Sequence, residues 1–340
     1  MDFDFSFEQQ LIGKSVRSAL AKLPPVMNRA PYPYGATELT RTLAELGVWG
    51  TGDVEGPGLG FVDAVVVAME VGRALPAAPV IEQLAASLVL PSAQTELARA
   101  IAAGAMTTIA VSGGFGRRGE GLRGQIVVPF AAEAVAVLAP VSGREWGVFS
   151  SENLSLSPLE SMDITADVFR AEALSAPSSV FIPGRGAVSL ADVLELLATA
   201  EIVGSAEIAL EKTVDYVRER KQFGKPIGTN QAVKHLAADA ASDVEIMKVG
   251  IEYAGWALDQ AANDETQTEE ARIALLTARS FVGEHARLVL ERCVQMHGGI
   301  AFTWDFGLHR YLRRILYRTN TIIRPLESRD QIASLVLAEA

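Results

Sequence analysis

Two segments of the chain combine residue types that suit an anionic, nucleotide-like ligand. The first, Tyr216-Val217-Arg218-Glu219-Arg220-Lys221-Gln222-Phe223-Gly224-Lys225-Pro226-Ile227-Gly228-Thr229-Asn230-Gln231, reads as a helix end, a Gly/Pro turn and a new helix start. Arg220 beside the turn can present a planar guanidinium to a phosphate, and Gln231 near the next helix start can pair with a neutral polar edge. Both suit a dinucleotide. The second segment is Gln295-Met296-His297-Gly298-Gly299-Ile300-Ala301-Phe302-Thr303, followed by Leu308-His309-Arg310-Tyr311. Gly298 and Gly299 after a helix let a diphosphate approach backbone N–H groups with no Cβ in the way. Taken singly, each feature has an ordinary reading too: a C-cap for the glycines, a surface ion pair for Arg220, a plain turn for Gly224-Lys225-Pro226.

The elements that must position these residues follow from periodicity. Residues 1–104 read as a helical domain. Ser6-Phe7-Glu8-Gln9 is a capping-box pattern, with Leu11 or Ile12, Val16 and Leu20 at helical spacing until Pro24-Pro25. Leu39, Leu43 and Leu46 form the stripe of a second helix that Gly47 stops, and Gly58 to Gly60 precede a buried helix from Phe61 to Gly72. Two more helices are expected near Val80 to Leu90 and Ala93 to Ala103. Residues 105–184 read as a small β domain, with short β-branched runs at Thr107–Val111, Gln125–Val128, Ala134–Leu138 and Trp146–Phe149. Gly113-Gly114-Phe115-Gly116-Arg117-Arg118-Gly119 lacks a phosphate-loop ending and a βαβ context, so a solvated hairpin loop is expected there. Residues 185–340 read as a helical bundle. Its helices run from the box-like Ser189-Leu190-Ala191-Asp192 to about Lys221, from Asn230 to Ala262, from Glu269 to His297, and through the basic stretch after Phe306.

Composition narrows the function classes. With 30 basic and 41 acidic residues the net charge is −11, which repels nucleic-acid backbones. The single cysteine, Cys293, needs no oxidising compartment. No signal-peptide pattern opens Met1-Asp2-Phe3-Asp4, and apolar runs such as Ala64–Met69 and Ala134–Pro140 fall short of the roughly 20 residues that span a bilayer. A cytoplasmic protein without a membrane span is the expectation.

Together the two segments are more specific. Arg220-Lys221-Gln222-Phe223-Gly224-Lys225-Pro226-Ile227 with Gln231-Ala232-Val233-Lys234-His235, followed by Gln295-x-His297-Gly298-Gly299, closely resembles the signatures of the acyl-CoA dehydrogenase family. Leu43-Ala44-Glu45-Leu46-Gly47 and Glu70-Val71-Gly72-Arg73 resemble that family's amino-terminal domain. The resemblance covers the whole chain, most strongly from about 185 to 315. It implies a mostly α fold with a small β domain: an amino-terminal helical domain, a middle β domain and a carboxy-terminal four-helix bundle. It also implies FAD, and α,β-dehydrogenation of an acyl-CoA with electrons passed to a flavoprotein or similar acceptor. In the family, residues matching Arg220, Phe223, Gln231, Gln295, Gly298 and Gly299 contact the ADP half of a flavin across a dimer interface.

Three departures from the family pattern qualify the activity. Where the family's β domain has Thr-Glu-Pro and Gly-Ser-Asp segments that hold the flavin ring, this chain reads Met106-Thr107-Thr108-Ile109-Ala110-Val111-Ser112-Gly113-Gly114. The family's tryptophan-containing flavin-shielding strand is not evident, and Trp146 is an unpersuasive relic of it. The reaction also needs a carboxylate base in an apolar slot, yet the stretch corresponding to the family's Glu-Gly-Thr turn is Asn320-Thr321-Ile322-Ile323-Arg324-Pro325. The alternative family position falls near Leu194, leaving Glu195 and, farther on, Glu327 as candidate bases; both also read as acids complementing a helix start. Arg310, Arg313, Arg314, Arg318, Arg324 and Arg329 suit either phosphates and an acidic partner or a solvated helix face.

A chain that keeps the ADP contacts and lacks a base resembles the short, non-catalytic subunit of actinobacterial heteromeric acyl-CoA dehydrogenases that shorten steroid side chains. That reading expects an α2β2 assembly in which a longer acyl-CoA dehydrogenase subunit supplies the base, with a steroid side-chain CoA thioester as substrate. The alternatives are a self-sufficient homo-oligomer using Glu195 or Glu327, and a flavin-free structural subunit.

Overall fold

Ser6 opens the first helix as its sequence pattern predicts. Its side chain accepts from the Gln9 N–H, and the Gln9 amide oxygen accepts from the Ser6 N–H at 2.9 Å. The computed structural model describes residues 5–23, 35–49, 59–90, 95–118 and 121–338. The readings at Met1–Asp4, Pro24-Pro25, Gly58, Ala93 and Gly119 lie outside these. The helices before the sheets are α1 (Phe7–Leu20), α2 (Ala36–Glu45), α3 (Phe61–Ala74), α4 (Val80–Val89) and α5 (Thr95–Ala102). In α2, Leu39 and Leu43 are buried while Leu46 emerges at the end, where Gly47 takes a positive φ of 73°.

The strands are β1 (Thr107–Ile109), β2 (Ser112–Arg118), β3 (Gly121–Pro129), β4 (Ala136–Ser142), β5 (Glu145–Phe149), β6 (Leu154–Leu159), β7 (Val168–Ala173) and β8 (Ser179–Phe181). They form two four-stranded sheets, ordered β1-β4-β5-β8 and β2-β3-β7-β6, with β1 and β4 parallel and the other pairs antiparallel. The expected solvated loop at Gly113–Gly119 is corrected: its described part is strand β2, paired with β3 from Ser112↔Val127 to Arg118↔Gly121. The glycines serve strand packing. A Cβ on Gly113 would lie 2.1 Å from the Gln125 carbonyl oxygen, and Phe115 turns inward to meet Phe149 at 5.1 Å between ring centroids.

After the short pair β9 (Gly184–Arg185) and β10 (Val188–Ser189), the chain becomes helical: α6 (Leu190–Glu219), α7 (Gln231–Asn263), α8 (Thr268–His297), α9 (Leu308–Arg318) and α10 (Pro325–Ala338). A two-stranded hairpin, β11 (Lys221–Gln222) and β12 (Lys225–Pro226), separates α6 from α7. Ser189 caps α6 in the predicted box with Asp192. The apolar α3 is buried because it crosses α6 with backbones in contact. A Cβ on Gly72 would sit 1.8 Å from the Glu201 carbonyl oxygen, one on Gly204 would sit 2.0 Å from that of Met69, and the Ser205 hydroxyl donates to the Gly72 carbonyl at 2.9 Å. At the start of α3 the Asp259 carboxylate of α7 accepts from the Phe61 and Val62 N–H groups at 2.8 and 3.2 Å, meeting the positive end of the helix.

The arginine cluster divides in a way its sequence spacing did not show. Arg314 and Arg318 belong to neither expected class, solvated face or phosphate contact. Both are buried, at 3% and 4% side-chain exposure. Arg314 donates to Asp163, Glu201, Thr165 and the Pro76 carbonyl, and Arg318 donates to Glu201 and Glu82, both at 2.6 Å. Burial alone would lower both guanidinium pKa values, but the surrounding carboxylates raise them. The cluster joins α4, α6, α9 and the loop between β6 and β7. On the outer side, Arg310 and Arg313 donate to the Trp304 and Met162 carbonyls, and Arg329 to Ser280 and Glu284.

The α3–α6 crossing sets a measurable constraint. Gly204→Ala places a methyl group against backbone and is expected to lower the unfolding free energy by about 1–3 kcal/mol, read as a reduced urea midpoint with an unchanged m-value.

Candidate functional site

The two motif segments meet at one end of the helical bundle through aromatic packing. Tyr216, one turn before the end of α6, stacks on His297, the last residue of α8, with centroids 4.4 Å apart and an interplanar angle of 22°. Phe306, from the connection to α9, closes on both, 5.7 Å from Tyr216 and 4.5 Å from His297. Arg220 lies roughly 6 Å of helical rise beyond Tyr216, and Gly298 follows His297 directly. The ends of α6 and α8, which carry residues of the two separated motifs, are thus packed together.

Local rules explain each position. Arg220 ends α6, and its carbonyl accepts from the Ile227 N–H at 2.8 Å, closing the hairpin. Phe223 and Gly224 at the tip both have positive φ, 51° and 80°, as a two-residue hairpin turn with right-handed strand twist demands. Phe223 is wholly exposed. Gly228 keeps the turn against α6, since a Cβ there would lie 2.9 Å from the Val217 carbonyl oxygen. Asn230 caps α7, accepting from the Ala232 N–H at 3.1 Å, which leaves Gln231 exposed on the first turn. Gln295 faces out from the last turn of α8. Gly298 ends that helix at φ 65°, ψ −146°, conformational space that only glycine enters freely. A Cβ on Gly298 or Gly299 would meet nothing within 4 Å. Among the described residues, the side chains of Arg220, Gln231 and Gln295 have no hydrogen-bond partner.

Beneath this surface the polar groups are dry. His297 Nδ1 lies 2.8 Å from the Cys293 carbonyl, so that nitrogen carries the proton, and Nε2 is buried without a partner among the described residues. His309, edge-on to Trp304 at 4.7 Å, has an unpartnered Nδ1. Burial lowers the pKa of both rings, and for His309 the nearby Arg313 and Arg310 lower it further. Burial pushes the Cys293 thiol up to about 11, so it is an inert core group.

The two candidate bases sit elsewhere. Glu195 lies 25 residues before Arg220, about 37 Å along one helix. Its carboxylate accepts from Arg279 at 2.5 Å and Arg272 at 3.2 Å. Burial raises its pKa, with both arginines opposing, while Arg279 is itself lowered by burial. Desolvation therefore dominates on both sides of this pair. Glu327 is exposed on the first turn of α10, 3.4 Å from Arg324. The Asn320–Pro325 stretch forms a π-helical turn over Thr319–Ile323 and a left-handed Arg324, and its Ile322 and Ile323 carbonyls accept from Arg279. Trp146 is half-buried on β5, opposite Phe181 of β8. Sequence reasoning missed Tyr216, Phe306 and the carboxylates around Arg314. The available signal was arginines at i and i+4 alternating with Tyr311, Ile315 and Tyr317 on a short helix.

Comparison with known proteins identifies the family and the fold. Residues 193–322 match the family model for the acyl-CoA dehydrogenase C-terminal domain. The acyl-CoA dehydrogenase IpdE2 of Mycobacterium tuberculosis is 32% identical over 294 residues, which cover 81% of this chain and 80% of IpdE2. Among solved structures, the ChsE4-ChsE5 complex from Mycobacterium tuberculosis aligns over 100% of both chains with a TM-score of 0.81 and 24% identity. A variant of the Tcur3481-Tcur3483 steroid ACAD aligns over 98% of both with 0.80 and 24%. The chain belongs to the acyl-CoA dehydrogenase family, whose fold it shares. Members of this family are flavin-containing oxidoreductases acting on CH–CH bonds. Among the described residues no helix is long and apolar enough to cross a membrane.

Two outcomes are expected from the buried groups. Glu195→Ala leaves Arg279 without its carboxylate and should cost about 3 kcal/mol of stability, with Glu195→Gln milder because an acceptor remains; urea titration reads both. His297 and His309, held neutral with lowered pKa values, contribute stability that is present above about pH 6.5 and lost as pH falls through their folded-state values. The urea midpoint should therefore drop on acidification below that point, less steeply in His297→Phe.

Proposed function

We propose that this chain is the non-catalytic subunit of a heteromeric FAD-dependent acyl-CoA dehydrogenase, holding the ADP side of a flavin whose ring and catalytic base belong to a longer partner subunit. The observation that carries the reading is that the stack of Tyr216 on His297 packs together the helix end bearing Arg220, whose guanidinium has no partner among the described residues, and the helix end bearing the open Gly298-Gly299 turn. These residues fit an ADP moiety: a free, permanently charged fork for phosphate, two glycines that leave room for it, and a bare aromatic ring at Phe223. Gln231 and Gln295 add neutral amide groups for the polar edges of the nucleotide. When bound, FAD supplies the hydride acceptor for α,β-dehydrogenation of the thioester.

A base supplied by the partner is in keeping with the state of the two candidates on this chain. Glu195 is held in ion pairs with Arg272 and Arg279, and Glu327 is exposed beside Arg324. The junction at Glu82, Asp163 and Glu201 is occupied by the Arg314 and Arg318 side chains. An α2β2 assembly and a steroid side-chain CoA thioester are the assembly and substrate we favour, in keeping with the paired chains and the steroid designation of the structural neighbours. Electrons leave to a flavoprotein-type acceptor.

The test is purification of this chain alone and co-expressed with a longer acyl-CoA dehydrogenase subunit, followed by flavin quantitation from the absorption spectrum. The chain alone is expected to be colourless and the complex yellow, with Arg220→Ala and Gly298→Leu each depleting the complex of flavin. A yellow, active chain on its own, or full flavin occupancy in both variants, would sink the proposal.

A further inference from the structure

Resting on the reading of Arg220 and Gly298-Gly299 as one half-site, the structure assigns His297 the role of positioning residue for that half-site, acting through its stack with Tyr216 and Phe306. Neither Arg220 nor the Gly298-Gly299 turn is held by a bond of its own to the other. Arg220 ends α6, the glycines end α8, and the face-to-face contact of Tyr216 with His297 packs these two helix ends together. A change in ring separation there moves the guanidinium relative to the glycine backbone.

The imidazole suits this task on two counts. Its Nδ1–H bond to the Cys293 carbonyl, one turn back on α8, fixes the plane of the ring, and Tyr216 and Phe306 then pack against a surface of defined orientation. His297 is only 6% exposed, so nothing in solvent competes for it. Phe306 belongs to the connection into α9, whose Arg314 and Arg318 anchor that helix to Glu201 of α6. The third ring of the stack is thus fixed independently of the ligand. His297 touches neither substrate nor reacting atoms; it sets the distance between two groups that do the holding.

The experiment measures FAD affinity by titration of the apo complex, alongside thermal unfolding, for four variants of this chain in complex with its longer partner. His297→Leu removes the stack at similar volume and is expected to weaken FAD binding about tenfold. His297→Phe restores an aromatic face and is expected to bind within about twofold of the parent. Leu275→Ala, a fully buried position far along α8, is expected to lower the unfolding temperature with FAD affinity retained. Arg220→Ala reports on the half-site itself. FAD loss in Arg220→Ala with parental affinity in His297→Leu overturns the positioning role alone. It is overturned too if His297→Phe binds as poorly as His297→Leu, or if Leu275→Ala loses FAD as His297→Leu does. Parental affinity in Arg220→Ala overturns the half-site reading, and this inference with it.

Discussion

The carboxylate of Glu201 is the point on which the rest of the structure depends. Buried completely in the middle of α6, it accepts from Arg314 and Arg318, which in turn reach Asp163 and Glu82. Taking charges out of water is costly, and this cluster holds because each guanidinium meets two carboxylates and leaves few donors unmet. The consequence is geometric. One residue of α6 fixes α9, through α9 the connection bearing Phe306, and through Asp163 and Glu82 the sheets and the first helices. On a neighbouring face of the same helix, Gly204 with Gly72 of α3 lets α3 approach backbone to backbone.

On this anchored frame the surface proposed to face the nucleotide carries side chains that have no partner among the described residues. Arg220, Gln231 and Gln295 reach outward, while Gly224 and Gly298 turn the chain where a side chain would be strained. Beneath them sits a dry aromatic layer of Tyr216, His297 and Phe306. Polar side chains without a partner among the described residues, exposed at Arg220, Gln231 and Gln295 and buried at His297 and His309, gather on the elements at this end of the bundle, which is why we propose that a ligand completes it.

Much of this was legible beforehand. Ser6-x-x-Gln9 and Ser189-x-x-Asp192 are local capping patterns whose hydrogen bonds form between residues three apart, and both appear in the structure. The long helices around Gln231 and Thr268 followed from periodicity. The Gly113–Gly119 run misled because glycine marks both loops and tight strand pairing, and only the partner strand β3 decides between them. Arg314 and Arg318 misled for a related reason: a basic helix face has the same spacing whether water or buried carboxylates stand opposite.

By itself the sequence determined the order of helices, strands and helices, a turn around Gly224, the glycine pair after α8 and the family to which the chain belongs. These rest on local backbone preferences and short motifs, which need only neighbouring residues to act. Tertiary structure alone decided that the helix ends bearing Arg220 and Gly298, nearly eighty residues apart, pack together, that Arg220 has no side-chain partner among the described residues while Arg314 is buried, and that Glu195 is paired with Arg279 and Arg272. Those outcomes depend on which distant groups meet and on how much water is excluded between them, and no local pattern in a chain encodes either.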